Sequence, residues 1–465
     1  MLFSSLTFLY YFLPAIILLY FAVPTKFKNA VLLAFSLFFY AWGGVRYALY
    51  MIIAIVFGYI AGLLIEKFRG QKVAKVILFV AIAAIISFML YFKYTDFFIE
   101  NFNALTGLSV PLMKIVLPIG ISFYTFQIIS YVIDVYRGDK AQKNPINLAA
   151  YVAMFPQLIA GPIVRYSDIS RELETRTHSF DIAGEGIRRF IIGLAKKVLI
   201  ANSMYDISEI VYAADEKSVL MYWLYGIAVA LYIYFDFSGY SDMAIGLGKI
   251  FGFHFLENFN YPYISKSATE FWRRWHMSLG TWFRDYVYIP LGGNRVSKWR
   301  HIINIFVVWL LTGFWHGASW NFIIWGLFFG VLLLVEKFWL LKFLNKSRVF
   351  CRLYILMAVM VSFMIFNLPN MSEAMAYIGG LFGAGGIPFA SVETWYTLRN
   401  YAVLLIIAAL GATPVVKTVA TKFSEGKKLG KIANVLEPIM LVSLLAVVTA
   451  FLVDSSSNPF LYFRF

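Results

Sequence analysis

The chain has 465 residues, of which 61% are hydrophobic and 14% are charged, and its formal net charge is +15. A soluble domain of ordinary composition is about 25% charged, so this chain has too few polar side chains to coat a water-facing surface. The composition therefore excludes a soluble enzyme, a disordered chain and a coiled coil. Long apolar runs without strict alternation favour a polytopic membrane protein built from α-helices over a β-barrel.

The positive charge and the single cysteine indicate which partners and bound groups to expect. Lys and Arg collect in the cytoplasmic loops of membrane proteins, so the net charge indicates topology, and we expect no nucleic-acid partner. One cysteine, Cys351, cannot form an intrachain disulfide. It also cannot form a multi-cysteine metal site, and we expect no metal.

Apolar segments of spanning length recur through the whole chain. We expect roughly ten to twelve transmembrane helices, with partial or re-entrant helices between them. The run 187–201 contains four cations, which is more typical of an amphipathic or tilted helix. The segments lie at 6–23, 29–42, 47–65, 73–91, 111–135, 148–163, 187–201, 219–236, 303–315, 319–336, 353–369, 399–416 and 436–453.

Basic residues between the early spans indicate the orientation. The first, third and fifth links hold clusters of Lys and Arg, whereas the alternate links hold few. By the positive-inside rule the clusters are cytoplasmic, so the N-terminus is predicted outside, and so is the C-terminal tail.

We predict one membrane domain, 1–465. Its parts are N-terminal spans at 1–135, a core at 136–336, C-terminal spans at 337–453 and the tail at 454–465.

The region 254–302 is too polar to span a membrane and too aromatic for an ordinary loop. Its Trp, Tyr and Arg residues are typical of a membrane–water interface. Ser267 or Thr269 is a candidate helix cap, with Glu270 in the first turn that follows. We therefore predict half-buried helices at the cytoplasmic face, where they wall a cavity.

Of the five histidines, only His316 lies in strongly apolar sequence, which predicts a helix, a short break and a second helix. A rise of 1.5 Å per residue from Ile303 puts the imidazole roughly 20 Å into the membrane. A titratable group at that depth indicates function, and a structural histidine bonded to a carbonyl is the alternative. With Trp315 and Asn321 beside it, a neutral imidazole suits general base catalysis on a hydroxyl or thiol.

The second candidate is His276, because FWRRWHMSLGTWFRD puts Arg273, Arg274, Trp275 and His276 in one helical turn. This histidine could orient the deeper one or bind a polar group of a donor. Together with Arg284, the two arginines could attract the phosphates of a cytoplasmic thioester donor. The further candidate substrate-binding residues are Trp275, Trp315 and Asn321. The alternatives are an interfacial basic and aromatic helix for the histidine and snorkelling cations for the arginines.

Asp236 and Asp242, in YIYFDFSGYSDMAIG, are a weaker constellation. They could form a proton or ion relay. The alternative is that they satisfy backbone groups at a broken helix.

Taken together, these motifs resemble the membrane-bound O-acyltransferase (MBOAT) superfamily, and above all its bacterial AlgI-like branch. The resemblance implies a ring of tilted helices around a thin core, where a cytoplasmic tunnel meets an extracellular funnel. It also implies that His316, in the WHG motif, is the catalytic histidine and that His276 is the second important one. The segments that carry the resemblance are MFPQLIAGPIVRY at 154–166, YFDFSGYSDMAIGLGKIFGF at 234–253, FWRRWHMSLGTWFRDYVYIPLGGNR at 271–295 and LLTGFWHGASWNFIIWG at 310–326.

The resemblance implies an enzyme of the bacterial cell membrane that moves an acyl group, usually acetyl, to an extracytoplasmic polysaccharide. The implied donor is a cytoplasmic thioester, either acetyl-CoA or an acyl carrier protein, and no bound cofactor is expected. A separate SGNH-type esterase-like protein commonly completes the transfer. The nearest alternative is a DltB-like enzyme that moves D-alanine toward teichoic acid. A non-catalytic transporter is the alternative from another class.

The chain ends in PFLYFRF, so Phe460, Tyr462 and Phe465 form an F-x-Y-x-x-F tail. This tail resembles the C-terminal motif of the small peptide that works beside DltB, which implies that Tyr462 accepts the acyl group transiently. An extended chain from Asp454 to Tyr462 spans at most roughly 26–29 Å, enough to swing from the membrane surface to a deep histidine. An aromatic belt that anchors the terminus at the interface is the alternative.

Overall fold

The computed structural model describes residues 1–159, 161–344, 346–426, 429–455 and 458–460, and every regular element among them is helical. The predicted all-α fold class is confirmed. The chain divides into two compact units: Met1–Phe190 with Ser241–Leu256, and Ile191–Tyr240 with Glu257–Phe465. The single membrane domain with its four parts stays a prediction.

Each predicted apolar segment contains a helix, but several helix ends differ from the prediction by ten residues or more: the helix predicted at 73–91 extends to Thr106, the one at 111–135 begins only at Ile121, and the one at 219–236 extends to Ile250. The helices of the N-terminal half are α1 (Leu13–Ala22), α2 (Lys28–Ala41), α3 (Val45–Lys67), α4 (Lys72–Thr106), α5 (Ile121–Arg137), α6 (Pro145–Ala153), α7 (Phe155–Leu158), α8 (Tyr166–Glu174), α9 (Phe180–Ala195), α10 (Asn202–Ala213) and α11 (Val219–Ile250). Those of the C-terminal half are α12 (Ala268–Trp272), α13 (Met277–Phe283), α14 (Lys298–His316), α15 (Trp320–Val335), α16 (Leu341–Leu344), α17 (Arg348–Asn367), α18 (Met371–Leu381), α19 (Val392–Gly411), α20 (Val415–Glu425) and α21 (Leu429–Asp454).

Short segments of wider or tighter helix extend several of these elements. The π-helices are Phe8–Phe12, Lys196–Ala201, Arg284–Tyr288 and Glu336–Leu340, and the 3₁₀-helices are Thr25–Phe27 and Pro262–Ile264. Three of the π-helices directly follow α9, α13 and α15. A π-turn inserts one extra residue into the ladder and re-aims the side chains around it, which is why such turns are frequent at functional sites.

Among the described residues, six helices are long and apolar enough to cross a membrane, or seven spans if the bent pair α19 and α20 counts as one. The sequence analysis expects ten to twelve. The difference arises because several apolar segments form helices too short to span, such as α6 with 9 residues and α5 with 17. In addition, α14 begins with a basic and polar stretch, KWRH, that lowers its mean hydropathy. The fold is that of a multi-pass membrane protein.

Close helix approach organises the first unit. A Cβ atom at Gly58 of α3 would lie 2.5 Å from Ile128 of α5, and one at Gly62 would lie 2.5 Å from the hydroxyl of Tyr131. Small residues at such positions let two helices pack tightly where the hydrophobic effect gives little drive between them. As a result, nearly all of α5 is buried.

The two carboxylates of YIYFDFSGYSDMAIG lie on one continuous helix, α11, so the predicted helix break is wrong. Each carboxylate has a basic partner within its own unit. Asp242 is 2.8 Å from Arg189 in the first unit, and Asp236 is 2.5 Å from Lys197 in the second. These ion pairs neutralise the charges that the apolar surroundings of a spanning helix would otherwise disfavour.

Candidate active site

Two helices that pack backbone to backbone present His316. This residue ends α14, and α15 begins after a short break, so the predicted helix–break–helix unit is confirmed. A Cβ atom at Gly313 would lie 2.5 Å from the carbonyl oxygen of Phe322, and one at Gly326 would lie 2.3 Å from that of Trp309. Larger residues would push the helices apart, so the two glycines fix where the imidazole lies.

Aromatic rings surround His316, which is 8% exposed. Its ring centroid lies 4.9 Å from those of Trp315 and Trp325 and 5.2 Å from that of Phe366, with the planes nearly perpendicular. The enclosure keeps the imidazole away from bulk water, and an imidazole shielded in this way suits a general base.

The predicted helical turn from Arg273 to His276 is wrong, because these residues form a non-helical link between α12 and α13. His276 occupies a strained and nearly fully buried position just before α13. Its φ of 44° lies in the left-handed region, which is uncommon for a residue with a side chain. Its Nδ1 is 3.1 Å from Oδ1 of Asn258, which also accepts hydrogen bonds from the backbone N–H and the hydroxyl of Ser278. Backbone strain persists only where neighbouring contacts impose it, and it clusters at functional sites.

The contacts with Asn258 fix the tautomer of His276. Because the N–H of Ser278 donates to it, the Asn258 atom is the carbonyl oxygen, which can only accept. Nδ1 of His276 therefore carries the proton, and Nε2 carries the lone pair. His276 lies between the candidate spans, and burial lowers its pKa to about 3. This imidazole is consequently a neutral hydrogen-bond acceptor.

Trp315 contacts both histidines, with its ring centroid 6.0 Å from that of His276 and 4.9 Å from that of His316. Nε2 of His276 and the indole N–H groups of Trp272 and Trp325 are buried without a hydrogen-bond partner in the described part of the chain. Burying a polar atom without a hydrogen bond costs free energy, so such atoms are uncommon in folded proteins. These three nitrogen atoms are candidates to bind polar groups of a substrate.

Glu336 holds the segment that leads to His276. Its buried carboxylate accepts hydrogen bonds from the N–H groups of the first two residues of α12 and from the hydroxyls of Thr269 and Tyr354. Ser267 caps the same helix by accepting from the N–H of Glu270, as the sequence predicts. A carboxylate and a hydroxyl at one helix N-terminus satisfy its free donors and fix its direction.

A family model described as membrane-bound O-acyltransferase matches residues 141–376, the range that contains both histidines and Asn258. The chain belongs to the membrane-bound O-acyltransferase family. It is 38% identical to the probable alginate O-acetylase AlgI of Pseudomonas putida over the full length of both chains. It is 34% identical to the peptidoglycan O-acetyltransferase of Helicobacter pylori over 83% of this chain and 81% of that protein.

A teichoic acid D-alanyltransferase of Bacillus subtilis is also similar. The two chains are 34% identical over 47% of this chain and 59% of that protein. The resemblance inferred from the sequence motifs is thus confirmed, and so is the enzyme class: the protein is a multi-pass membrane acyltransferase.

The structure places the arginines of this acyltransferase in different settings. Arg274 is paired with Glu270, with 2.9 Å between their charged atoms. Arg284 is paired with Asp285, at 2.7 Å. Arg273 is exposed and has no carboxylate partner in the described ranges. Donor binding by the arginines stays a prediction, and Arg273 is the candidate whose charge is most available.

The predicted binding residues Trp275 and Asn321 have structural contacts. Trp275 is buried and packs on Phe271, with ring centroids 5.4 Å apart. Asn321 donates from Nδ2 to the backbone carbonyls of Ile365 and Leu368 at 3.2 and 2.8 Å, which ties the start of α15 to the end of α17. A role for either residue in substrate binding stays a prediction. Tyr462 lies outside the described residues.

Proposed function

We propose that this acyltransferase O-acetylates an extracytoplasmic polysaccharide, taking acetyl from a cytoplasmic thioester, either acetyl-CoA or an acyl carrier protein. The observation that carries the proposal is a pair of buried histidines that share one aromatic neighbour, Trp315. His316 ends α14 within an aromatic enclosure, whereas Nδ1 of His276 is bonded to Asn258, which leaves Nε2 as an acceptor. One histidine suits a base, and the other suits a group that orients a hydroxyl.

The proposed reaction exchanges one acyl bond for another. His316 removes the proton from the acceptor hydroxyl, while Nε2 of His276 accepts a hydrogen bond from a second N–H or O–H group of a substrate and so orients that substrate. The oxygen attacks the thioester carbonyl, the C–S bond breaks, and the proton passes from the imidazolium to the thiolate. The products are an ester and a free thiol, so no ATP is consumed.

Similarity to two O-acetylating relatives supports acetyl as the cargo. The alginate and peptidoglycan enzymes align with more than four fifths of this chain, whereas the D-alanyl enzyme aligns with less than half. We place the protein in the bacterial cytoplasmic membrane with both termini outside. An extracytoplasmic SGNH-type protein is the proposed partner that passes the acetyl group to the polymer.

Ester-linked acetate on the isolated envelope polymer tests this function. We expect acetate in cells with the gene, its loss on deletion, and its return with the wild-type gene on a plasmid. Ester-linked D-alanine that depends on the gene would instead favour the teichoic acid reaction. If neither ester changes while export of a polymer does, the protein is a transporter and the proposal is wrong.

Charge reversal at Arg273 should weaken binding of the thioester donor. Arg273→Glu replaces an exposed cation with an anion that repels the donor phosphates, so we expect KM for the donor to rise severalfold with kcat nearly unchanged. The rise should grow as salt is lowered, because screening of exposed charges falls. Arg352→Glu is the matched control, since Arg352 is also exposed but lies at the start of α17. Equal KM values at all salt concentrations would make Arg273 an interfacial anchor only.

Tyr462→Phe separates a carrier tyrosine from an anchoring one. The substitution removes the phenolic hydroxyl and keeps the aromatic ring, so a nucleophile is lost and an anchor is preserved. We expect loss of acetate transfer to the partner with normal expression and insertion. The measurement is acyl transfer from labelled thioester to the protein itself and then to the polymer. Full activity of Tyr462→Phe would leave this residue as an interfacial anchor.

A further inference from the structure

A fully buried lysine in the second unit binds the C-terminal tail. Lys197 and Asp236 form an ion pair with 2.5 Å between Nζ and Oδ1, and both side chains are 0% exposed. Nζ also donates to Oδ1 of Asn202 at 2.9 Å and to the backbone carbonyl of Pro459. An ammonium group has three N–H donors. Two of its hydrogen bonds lead to Asn202 and Pro459, and Asp236 pairs with the charge, so the tail supplies one of these three polar partners.

A π-helix brings Lys197 and Asn202 together. The backbone N–H of Asn202 bonds to the carbonyl of Lys197, five residues earlier, in the π-helix Lys196–Ala201. Residues linked in this way stack on one face, whereas residues five apart in an α-helix point in different directions. The irregular turn therefore places a donor and an acceptor side by side facing the tail.

A second contact holds the tail on α11. The ring of Phe460 is 5% exposed and lies 5.0 Å from that of Tyr240, measured between centroids. Tyr240 follows Asp236 by four residues on the same helix, so both occupy one face. Asn458 adds a longer contact, 3.5 Å from its Oδ1 to Nδ2 of Asn202. Three consecutive tail residues thus meet one continuous surface.

We propose that Lys197, Asn202, Asp236 and Tyr240 form a docking site for the protein's own tail segment 458–460, and that Lys197 is the positioning residue. Burying a cation is costly unless the charge is paired and its donors are bonded, and here Asp236 supplies the charge while the tail carbonyl accepts a hydrogen bond. Proline suits this place, since it offers an acceptor and has no N–H that would need a partner.

If the tail carries the acyl group, which rests on the proposed function, docking restricts how far the tail can move during transfer. A swing that begins at Asp454 would have to break all the contacts of segment 458–460. With Phe460 docked, two residues of extended chain reach at most about 7 Å, so the dock limits where Tyr462 can act. The dock would hold the tyrosine close to one place between transfers.

Accessibility of a cysteine in the tail tests docking without any activity assay. Pro459→Cys in a Cys351→Ala background keeps the backbone carbonyl and gives one thiol for a charged maleimide on the purified full-length protein. We expect Lys197→Met/Asp236→Asn, which removes both charges and leaves neither orphaned, to speed labelling at least tenfold. Lys196→Met, one residue away in the same π-helix, is the control and should change the rate less than twofold. Equal rates in all three proteins would overturn the docking site.

A transfer assay with the same variants separates docking from the carrier role. If Lys197 positions the tail, the double variant should lower kcat for acetate transfer to the partner at least tenfold, with KM for the thioester unchanged. A rise in donor KM alone would overturn the positioning role. If the double variant is labelled faster but Tyr462→Phe keeps full activity, the docking site is supported and the carrier role of Tyr462 is wrong. If the double variant is not labelled faster, the docking site is wrong, regardless of the activity of Tyr462→Phe.

Discussion

Replacing His316 by alanine should abolish acyl transfer while the protein remains folded and inserted. Loss of a general base typically lowers a rate by about 10²–10⁴-fold. The structure argues for this base in particular, because the imidazole ends α14 and is buried among three aromatic rings that shield it from water. The measurement is thiol release from the thioester donor in proteoliposomes, with Tm and elution volume as checks on folding.

Chemical rescue distinguishes a base from a structural histidine at this position. His316→Ala leaves a space the size of an imidazole, so added imidazole should restore a measurable part of the rate to this variant. His316→Gln fills the space without a base and should not be rescued. His254→Ala removes a largely exposed histidine and should keep wild-type activity. If a well-folded His316→Ala protein transfers acetyl at a near-normal rate, the assignment fails.

Features that depend on neighbours in sequence could be predicted from the chain alone. The break after His316 follows from a glycine between two apolar runs, and the cap at Ser267 follows from a hydroxyl three residues before Glu270. Sequence spacing of this kind specifies local geometry directly. The apolar setting of His316 likewise follows from the residues on either side of it in sequence, whereas its depth in the membrane stays a prediction.

Features that depend on long-range packing could not be predicted. Asn258 lies 18 residues before His276 in an irregular loop, and nothing in NFNYPY marks its oxygen as the partner of an imidazole. Glu336 caps a helix that precedes it by 67 residues or more. Lys197 is separated from Pro459 by 262 residues. Each of these groups forms hydrogen bonds with residues far away in the chain, and no periodic sequence pattern indicates such contacts.

The run 187–201 is a further case in which contacts between helices could not be predicted from the sequence. Its four cations indicate an amphipathic helix, which would direct them to water or lipid headgroups. Arg189 instead pairs with Asp242, and Lys197 is completely buried against Asp236. A sequence pattern counts charges but does not show which of them find a partner on another helix.

Substitution of His276 should also disable the enzyme, but for a different reason. His276→Ala removes the acceptor Nε2, and misplacement of a reacting group by about 1 Å can cost on the order of 10²-fold in rate. His276→Gln supplies an amide oxygen near the position of Nε2 and should restore part of this loss. A titrating base would not be restored by glutamine, because an amide does not take up a proton in this pH range. The comparison of the two variants at saturating donor is therefore the first test.

The pH dependence supplies the second test of the neutral state of His276. Burial lowers its pKa to about 3 in the folded protein, so the imidazole stays neutral throughout the range from pH 5 to 8 and should add no acid limb to the rate profile. An unfolded histidine titrates near pH 6.5, so protons favour the unfolded chain below that value. Folding stability should fall by about 2 kcal/mol between pH 7.5 and pH 5.

A substitution at Asn258 should make His276 titratable and therefore serves as a control for its neutral state. Asn258→Asp keeps an oxygen that accepts from Nδ1 and from the N–H of Ser278, but it adds a negative charge beside the imidazole. A neighbouring carboxylate favours the protonated form, so the pKa of His276 should rise and an acid limb should enter the rate profile. Combining Asn258→Asp with His276→Gln should remove that limb again. If wild-type enzyme already shows a limb that disappears in His276→Gln alone, then His276 titrates during turnover and its assignment as a neutral acceptor is wrong.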